Sequence, residues 1–474
     1  MTATLPIRTD VLVVGAGPAG LTLTTALALA GVDHVTLEPK EQVSPGAKAA
    51  GVQPRTLEYL DRLGVGATLV ARGLPGDGFA LREGDDDLLR VSYASLDSPH
   101  PHLLLVGQDV TEQVLADRLD AVGGQLFRGH RLLAWQRTHP GVLATVASPD
   151  GVVRTVQARY LVGADGLHSP VREAAGIAFR GDSPAALFAL ADVHLDLDGP
   201  SDTDTAFFLA PDGVALVSPM PDGMHRIVAS APPGTPPPSA SDVEGTLATH
   251  TGGALRTAQV VDLVASTTYR FQQRVAARLV DGPVALLGDA AHTHSPAGGQ
   301  GMNTGIQDAA DLAWRLTEIL RHGAPESLLD GYDDERRPVA EELIAFTGQL
   351  TTLATLTDPR LGALRNTVLA AVRGIAEVTD FLAGRLSQLD LGYTGDAPVG
   401  RRLPPTRLAA PVDAPVWVFA DPATTAVSGD RPRIVPAPTL DTTVLVRPDG
   451  IVDAVGLGAD EARERLVHLD PEAP

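Results

Sequence analysis

Val11-Leu12-Val13-Val14-Gly15-Ala16-Gly17-Pro18-Ala19-Gly20, followed by an apolar stretch to Ala30 and then by His34-Val35-Thr36-Leu37-Glu38, decides the fold. Four consecutive apolar residues suit a strand buried on both faces of a parallel sheet. The next six residues hold three glycines in the order Gly-x-Gly-x-x-Gly. Leu21–Ala30 has helical composition, and Gly31 stands where a helix ends. The second apolar run closes a strand–helix–strand unit on an acid. Each residue of the loop has a physical task in binding a dinucleotide. Gly15 permits the tight turn, Gly17 admits a pyrophosphate to the backbone, and Gly20 lets helix and strand pack closely. Pro18 and Ala19 lie in the turn, and the N-terminus of the helix that follows attracts negative charge. Glu38 lies 23 residues after Gly15, and its carboxylate suits a ribose 2′-hydroxyl and repels a 2′-phosphate. This site is therefore expected to hold FAD or NAD.

Working outward, Pro54–Leu63 and Thr111–Leu119 read as helices. Val142–Ala147 and Val152–Ala158 read as strands, and Tyr160–Gly163 leads into Ala164-Asp165-Gly166. Between about Arg180 and Gln273 the pattern becomes β-rich. Two Pro-Asp-Gly turns, at 211–213 and 221–223, separate apolar runs and predict an antiparallel meander. Phe207, Phe208, Leu216 and Met220 in this insert are expected either to line a ligand site or to form core. A third buried strand, Val284–Leu287, runs into Gly288-Asp289-Ala290-Ala291-His292. Then come Pro296, Gly298, Gln300, Gly301, Met302 and Asn303 and a helix to Arg321 with one apolar face. Leu343–Leu389 is helical with a break at Asp358-Pro359. A Pro-rich linker is expected over 398–405, and Val444–Gly450 has a strand-and-turn pattern.

Composition excludes several functions. The chain of 474 residues carries a formal charge of −21, which disfavours nucleic acid as a partner. It has no cysteine, so disulfides, thiolate nucleophiles and Cys-ligated metals are excluded. His292 and His294 with Asp289 match no common zinc spacing. No run is long enough for a membrane span, and no leader pattern precedes the first strand. A cytoplasmic protein without metal or membrane partner is the expectation, with monomer and homodimer both open.

Three stretches together carry a resemblance: Gly15–Gly20, Ala164-Asp165-Gly166, and the long Leu287–His292 through Gly298–Asn303 motif. They resemble the signature motifs of the group A FAD-dependent aromatic monooxygenases, of the para-hydroxybenzoate hydroxylase fold and the aromatic polyketide hydroxylase branch. Tyr332, Glu335-Arg336-Arg337-Pro338 and the Val444–Gly450 tail extend the likeness over most of the chain. The resemblance implies an α/β fold: a Rossmann-type FAD-binding domain, an inserted antiparallel β-sheet substrate domain, a helical linker and a thioredoxin-like C-terminal domain. Residues 1–75, 103–179 and 275–345 would form the first, 76–102 and 180–274 the second, 346–392 the third and 393–474 the last.

The same resemblance implies bound FAD, with NADPH or NADH as a transient co-substrate and O2 as oxidant. An aromatic polyketide, or a related polycyclic phenol or quinone, would be hydroxylated through a C4a-hydroperoxide of the flavin. The glycine loop and Glu38 would hold the ADP half of FAD, and Asp289 the ribityl or phosphate region. Pro296 and Gly298–Asn303 would face the isoalloxazine ring, and Gln108 would touch the flavin. Asp165 would serve both nucleotides, with His168 and Arg172 as NAD(P)H contacts. Lys48 stands where relatives carry arginine, and Pro39 replaces a usual basic residue. Baeyer–Villiger-type oxygenation in the same fold and a redox-silent FAD-binding protein are the alternatives. No catalytic side chain is assigned, because the cofactor carries the chemistry.

Overall fold

The computed structural model describes residues 4–43, 49–182, 187–197, 204–211, 213–393, 399–428 and 431–467. The expected strand–helix–strand unit is present. Strand Arg8–Val14, helix Pro18–Leu29 and strand His34–Glu38 follow one another, and the two strands pair in parallel. They belong to an eight-stranded sheet. Its parallel core runs Val284–Leu286, Val153–Gly163, Arg8–Val14, His34–Glu38 and Leu126–Arg128. Strands Arg131–Arg137 and Val142–Ala147 continue antiparallel from the longest strand. Helices Pro18–Leu29 and Gly301–His322 pack where Ala19, Gly288 and Gly305 meet. A Cβ on Gly305 would lie 3.1 Å from the Gly288 Cα. Small residues there let two helix N-termini converge on one side of the sheet.

The β-rich insert folds as a seven-stranded sheet in the order Gln259–Arg270, Leu187–Asp196, Met224–Ala231, Gly213–Pro219, Thr205–Ala210, Gly78–Glu83, Asp86–Ser92. Most neighbours are antiparallel, but Thr205–Ala210 and Gly78–Glu83 run parallel. These two come from segments far apart in sequence, so no hairpin dictates their direction. Turn residue Asp212 lies outside the described residues. At the second turn Asp222 adopts φ 62°, with Gly223 at φ 74°. The insert also contains a helix, Ala240–His250, opened by a reciprocal cap between Ser239 and Asp242.

The helical segment consists of Asp330–Ala354, Pro359–Val372 and Ala376–Leu386, broken at Asp358-Pro359 as expected. Its inner residues Phe346, Leu350, Leu369 and Leu382 pack on Leu89, Val91 and Leu103. The C-terminal unit is a four-stranded sheet, Arg433–Pro436, Val418–Asp421, Val444–Val446, Val452–Val455, followed by helix Ala459–Val467. The stretch 399–405, expected as linker, is instead packed. Leu403 is buried and its N–H donates to Gly450 O at 3.1 Å, while Arg402 pairs with Glu58. No helix among the described residues is long and apolar enough to cross a membrane.

Candidate active site

The three glycines of the first loop differ in what surrounds them. Gly15 has φ 108°, and a Cβ there would sit 2.2 Å from the Ala164 carbonyl oxygen. At Gly20 it would sit 2.1 Å from the Gly15 oxygen. At Gly17 it would meet nothing within 4 Å. Two glycines are thus required by the fold, and the third leaves the backbone bare toward open space. Helix Pro18–Leu29 starts there with no side-chain cap and no acid in its first turn. Its first N–H groups and positive dipole end are presented to whatever fills that space. Glu38 folds back over the loop. Its Oε2 accepts from the Ala16 N–H at 2.9 Å and its Oε1 from the Lys40 N–H at 3.0 Å.

A cavity of about 630 Å³ begins at this loop. Gly17, Pro18, Ala19, Gly20, Gln108, Asp289, Pro296, Gly298, Gln300, Gly301 and Met302 line it, all of them expected from the sequence. The cavity continues to the inner face of the seven-stranded sheet, where Phe188, Phe207, Leu216, Val228 and Tyr269 form an apolar wall. Strand alternation sorts the insert's aromatics: Phe207 faces the cavity, whereas its neighbour Phe208 is core. Leu216 also lines the cavity, and Met220 is buried outside its wall.

Hydrogen bonds of several expected residues hold the site's loops in place. The Asn303 side chain ties the second glycine loop to an early strand. Its Oδ1 accepts from the Gln53 N–H at 2.8 Å, and its Nδ2 donates to Gly51 O at 2.9 Å and Gly299 O at 2.8 Å. Gln300 donates to Gly298 O and Leu386 O and accepts from Gln388 Nε2. Asp165 accepts from the Val171 N–H at 3.0 Å, and burial raises its carboxyl above the ordinary value. Arg172 is buried over the Phe179 ring and donates to Ala290 O at 2.9 Å and Leu167 O at 2.8 Å. It thereby clamps the Asp165 loop to the Gly288-Asp289 turn. His168 is exposed on that loop. Lys48 lies outside the described residues.

The sequence reading named His292, Tyr332 and Arg336 without a role and missed Asp308, Asp192 and Arg226. Asp308 is fully buried beneath the Gly288 turn. One carboxylate oxygen accepts from the Gly288 N–H at 3.1 Å and bonds His292 Nε2 at 2.6 Å, while the other accepts from Arg336 Nε at 2.8 Å. Burial opposes its charge, but His292 and Arg336 prevail and hold the carboxyl at about 2. Tyr332 donates to Leu286 O at 2.8 Å on the preceding strand. On the cavity's far side Arg226 makes a two-pronged bond to buried Asp192, both arms 2.7 Å, and a third to Ala49 O at 2.9 Å. His294 lines the cavity with its Nδ1 on Ser295 O at 2.7 Å, and burial drives its pKa down to about 4.

A 630 Å³ cleft joining an uncapped dinucleotide loop to an aromatic wall fits a bound dinucleotide cofactor with a small organic substrate beside it. The family model described as an FAD binding domain matches residues 8–347. A Bacillus subtilis protein described as an uncharacterized aromatic compound monooxygenase is 34% identical over 408 residues, covering 85% of this chain and 79% of the relative. The 12-dehydrotetracycline 5-monooxygenase/anhydrotetracycline 6-monooxygenase of Streptomyces rimosus is 35% identical over 416 residues, covering 84% of this chain and 80% of that one. Among solved structures, an anhydrotetracycline hydroxylase from Streptomyces rimosus superposes with a TM-score of 0.80 at 30% identity, over 98% of this chain and 100% of that chain. An aromatic hydroxylase from angucycline biosynthesis does so with 0.78 at 31% identity, over 97% and 99%. The chain belongs to the group A FAD-dependent aromatic monooxygenases. It is an enzyme that uses FAD, with NAD(P)H as co-substrate.

Proposed function

We propose that this monooxygenase hydroxylates a polycyclic phenol or quinone of the aromatic polyketide kind, and that the reaction takes place where the second glycine loop faces the sheet wall. The observation that carries this reading is the continuity of one cavity from Gly17 to Phe188 and Tyr269. The relatives named for tetracycline intermediates act on fused-ring substrates by their names, and a wall of aromatic and branched side chains suits a flat apolar ring system. Overall, substrate, NAD(P)H, O2 and a proton give hydroxylated substrate, NAD(P)+ and water.

FAD, when bound, supplies hydride acceptance and oxygen activation; the chain supplies placement. The Gly17–Gly20 turn and the free N–H groups of its helix would cradle the pyrophosphate, and Glu38 would accept ribose hydroxyls. Asp289 and Gln108 would meet the middle of the cofactor. Pro296, Gly298 and Gly301–Met302 would lie along the isoalloxazine ring, with the start of helix Gly301–His322 favouring negative charge on its pyrimidine edge. Asn303 and Gln300 act through the loop they hold. His168 is the exposed group nearest Asp165 in sequence for NAD(P)H, while Arg172 serves as a clamp. Phe207, Leu216 and Val228 would keep water from the reacting centre. A cytoplasmic location accords with this co-substrate use.

The test is a panel of polycyclic phenols and quinones incubated with NADPH under 18O2. One labelled oxygen in the product, with the substrate's carbonyls intact, supports hydroxylation. Oxygen insertion next to a carbonyl would point to the Baeyer–Villiger alternative. Flavin-loaded protein that transfers oxygen to none of them would contradict the proposal.

A further inference from the structure

The cavity face of the seven-stranded sheet is ruled in rows. Ala206 pairs with Val217, which brings Thr205 beside Ser218, and their hydroxyl oxygens are 2.8 Å apart. Ser218 pairs in turn with Arg226, and Arg226 with Asp192. Two residues along, Phe207 pairs with Leu216 and Leu216 with Val228. Alternation along each strand puts both rows on one face, where all but Asp192 line the cavity. The first row is wholly polar and the second wholly apolar, about 7 Å apart at the rise of a strand. The polar row lies toward the second glycine loop. Arg226 donates to Ala49 O, and Gly51, two residues on, accepts from Asn303 of that loop.

The charges of the polar row match one another. Arg226 grips Asp192 with two bonds of 2.7 Å, so the cation is neutralised in place. The hydroxyls are not so matched. Thr205 and Ser218 are only 3% and 4% exposed. Together they carry two O–H donors, and the bond between them uses one. The other has no acceptor among the described residues. A buried donor without an acceptor is costly, and the open direction is the cavity that both residues line.

We propose that the Thr205–Ser218 hydroxyl pair donates a hydrogen bond to a neutral carbonyl oxygen of the substrate and so decides which edge of its ring system faces the second glycine loop. The class selected is a polycyclic quinone or aryl ketone, with its carbonyl on the polar row and its rings on Phe207, Leu216 and Val228. A carboxylate gains nothing there, because Asp192 already neutralises Arg226. The inference rests on the substrate lying against this wall, as proposed above.

The test compares 2-hydroxyanthraquinone with 2-hydroxyanthracene, which lacks both carbonyls. Their binding to the FAD-loaded protein is read from the perturbed flavin spectrum. Thr205→Val with Ser218→Ala should weaken the quinone roughly 10-fold and leave hydroxyanthracene unchanged. Thr205→Ser, which keeps both hydroxyls, should preserve the wild-type ratio. In the wild-type protein the infrared carbonyl stretch of the bound quinone should lie below its position in an apolar solvent. An unchanged affinity ratio in the double variant, an unshifted carbonyl band, or tighter binding of anthracene-2-carboxylate than of the quinone would overturn the proposal. Phe207→Ala separates this inference from the reading it rests on. If that change weakens both compounds while the hydroxyl variant alters neither, the wall holds the rings and the hydroxyl assignment alone fails. If neither compound binds the wild-type protein, both fail.

Discussion

The cofactor cleft and the junction with the C-terminal unit are built on opposite principles. The cleft's first loop is made of backbone: Gly15, Gly17 and Gly20 contribute no side chain, and helix Pro18–Leu29 leaves its first N–H groups uncapped. The junction is made of buried charge. Arg447 pairs with Asp449 and with Glu335 at 2.9 Å, and stacks over Trp314 and Tyr393. Arg315 reaches Asp311 and Glu335; Arg55 donates to Asp449 O; Trp417 donates to Glu318 at 3.0 Å beside Trp314. A loop that must take up an anionic ligand keeps its donors unspent. A junction that must stay closed pairs its buried charges with one another, because an unpaired buried ion costs several kcal/mol.

The sharpest contrast is at Gly15. Alanine there must adopt φ 108° and meet the Ala164 oxygen at 2.2 Å. Gly15→Ala should yield little folded, flavin-bearing protein, a cost of several kcal/mol by ~order of magnitude. Gly17→Ala meets no atom and should fold normally while weakening FAD roughly 10-fold, read by flavin fluorescence titration. Equal effects at the two glycines would contradict the division of labour argued for them.

Next comes the junction. Arg447→Met strands Asp449 and Glu335 and should cost about 3–5 kcal/mol in denaturant unfolding. The flavin spectrum of the folded fraction should not change. Loss of flavin at unchanged stability would show that the two regions are not separable in this way.

Two buried carboxyls, Asp308 beneath the cleft and Asp311 at the junction, should answer pH in opposite directions. Asp308, under the Gly288 turn, titrates near 2, below its ordinary 3.8. Its stabilisation is present above about pH 4 and is lost as pH falls toward 2, about 2 kcal/mol in all. At the junction three carboxylates, Asp311, Glu335 and Asp449, face Arg315 and Arg447, and burial pushes Asp311 up to about 7. A raised carboxyl stabilises the fold at low pH and loses that contribution as pH rises through 7. Asp308→Asn should flatten the acid limb of a stability–pH curve, and Asp311→Asn the limb between 4 and 7. The smallest effect is at Glu38. Glu38→Gln keeps one acceptor but turns an N–H₂ toward Ala16 or Lys40, and should weaken FAD by roughly 5-fold.

The contrast also explains what the sequence revealed. The cleft was legible because its chemistry is local. A strand, three glycines, a helix and Glu38 all fall within the 31 residues from Arg8 to Glu38, one strand–helix–strand unit. The Gly288–Asn303 motif was legible for the same reason. What supports the cleft is not local. Asn303 reaches Gln53 across 250 residues, Arg336 reaches Asp308 across 28, and Arg226 reaches Asp192 across 34. Nothing in residue spacing pairs them. Arg172 illustrates the cost: its type suggests a nucleotide contact, but its partners are two carbonyls that only the folded chain brings near. Helix Ala240–His250 is different, because Ser239-x-x-Asp242 is a readable capping box inside a segment whose pattern is otherwise β-rich.

One cleft binds FAD and passes electrons to it from NAD(P)H. The visible absorption spectrum of the purified protein, taken before and after anaerobic NADPH or NADH, tests it most directly. The two-banded spectrum of oxidised flavin, bleached by at least one of the two nucleotides, is the expected result. Protein that stays colourless after incubation with FAD, or bound flavin that neither nucleotide reduces even with phenols present, would contradict it.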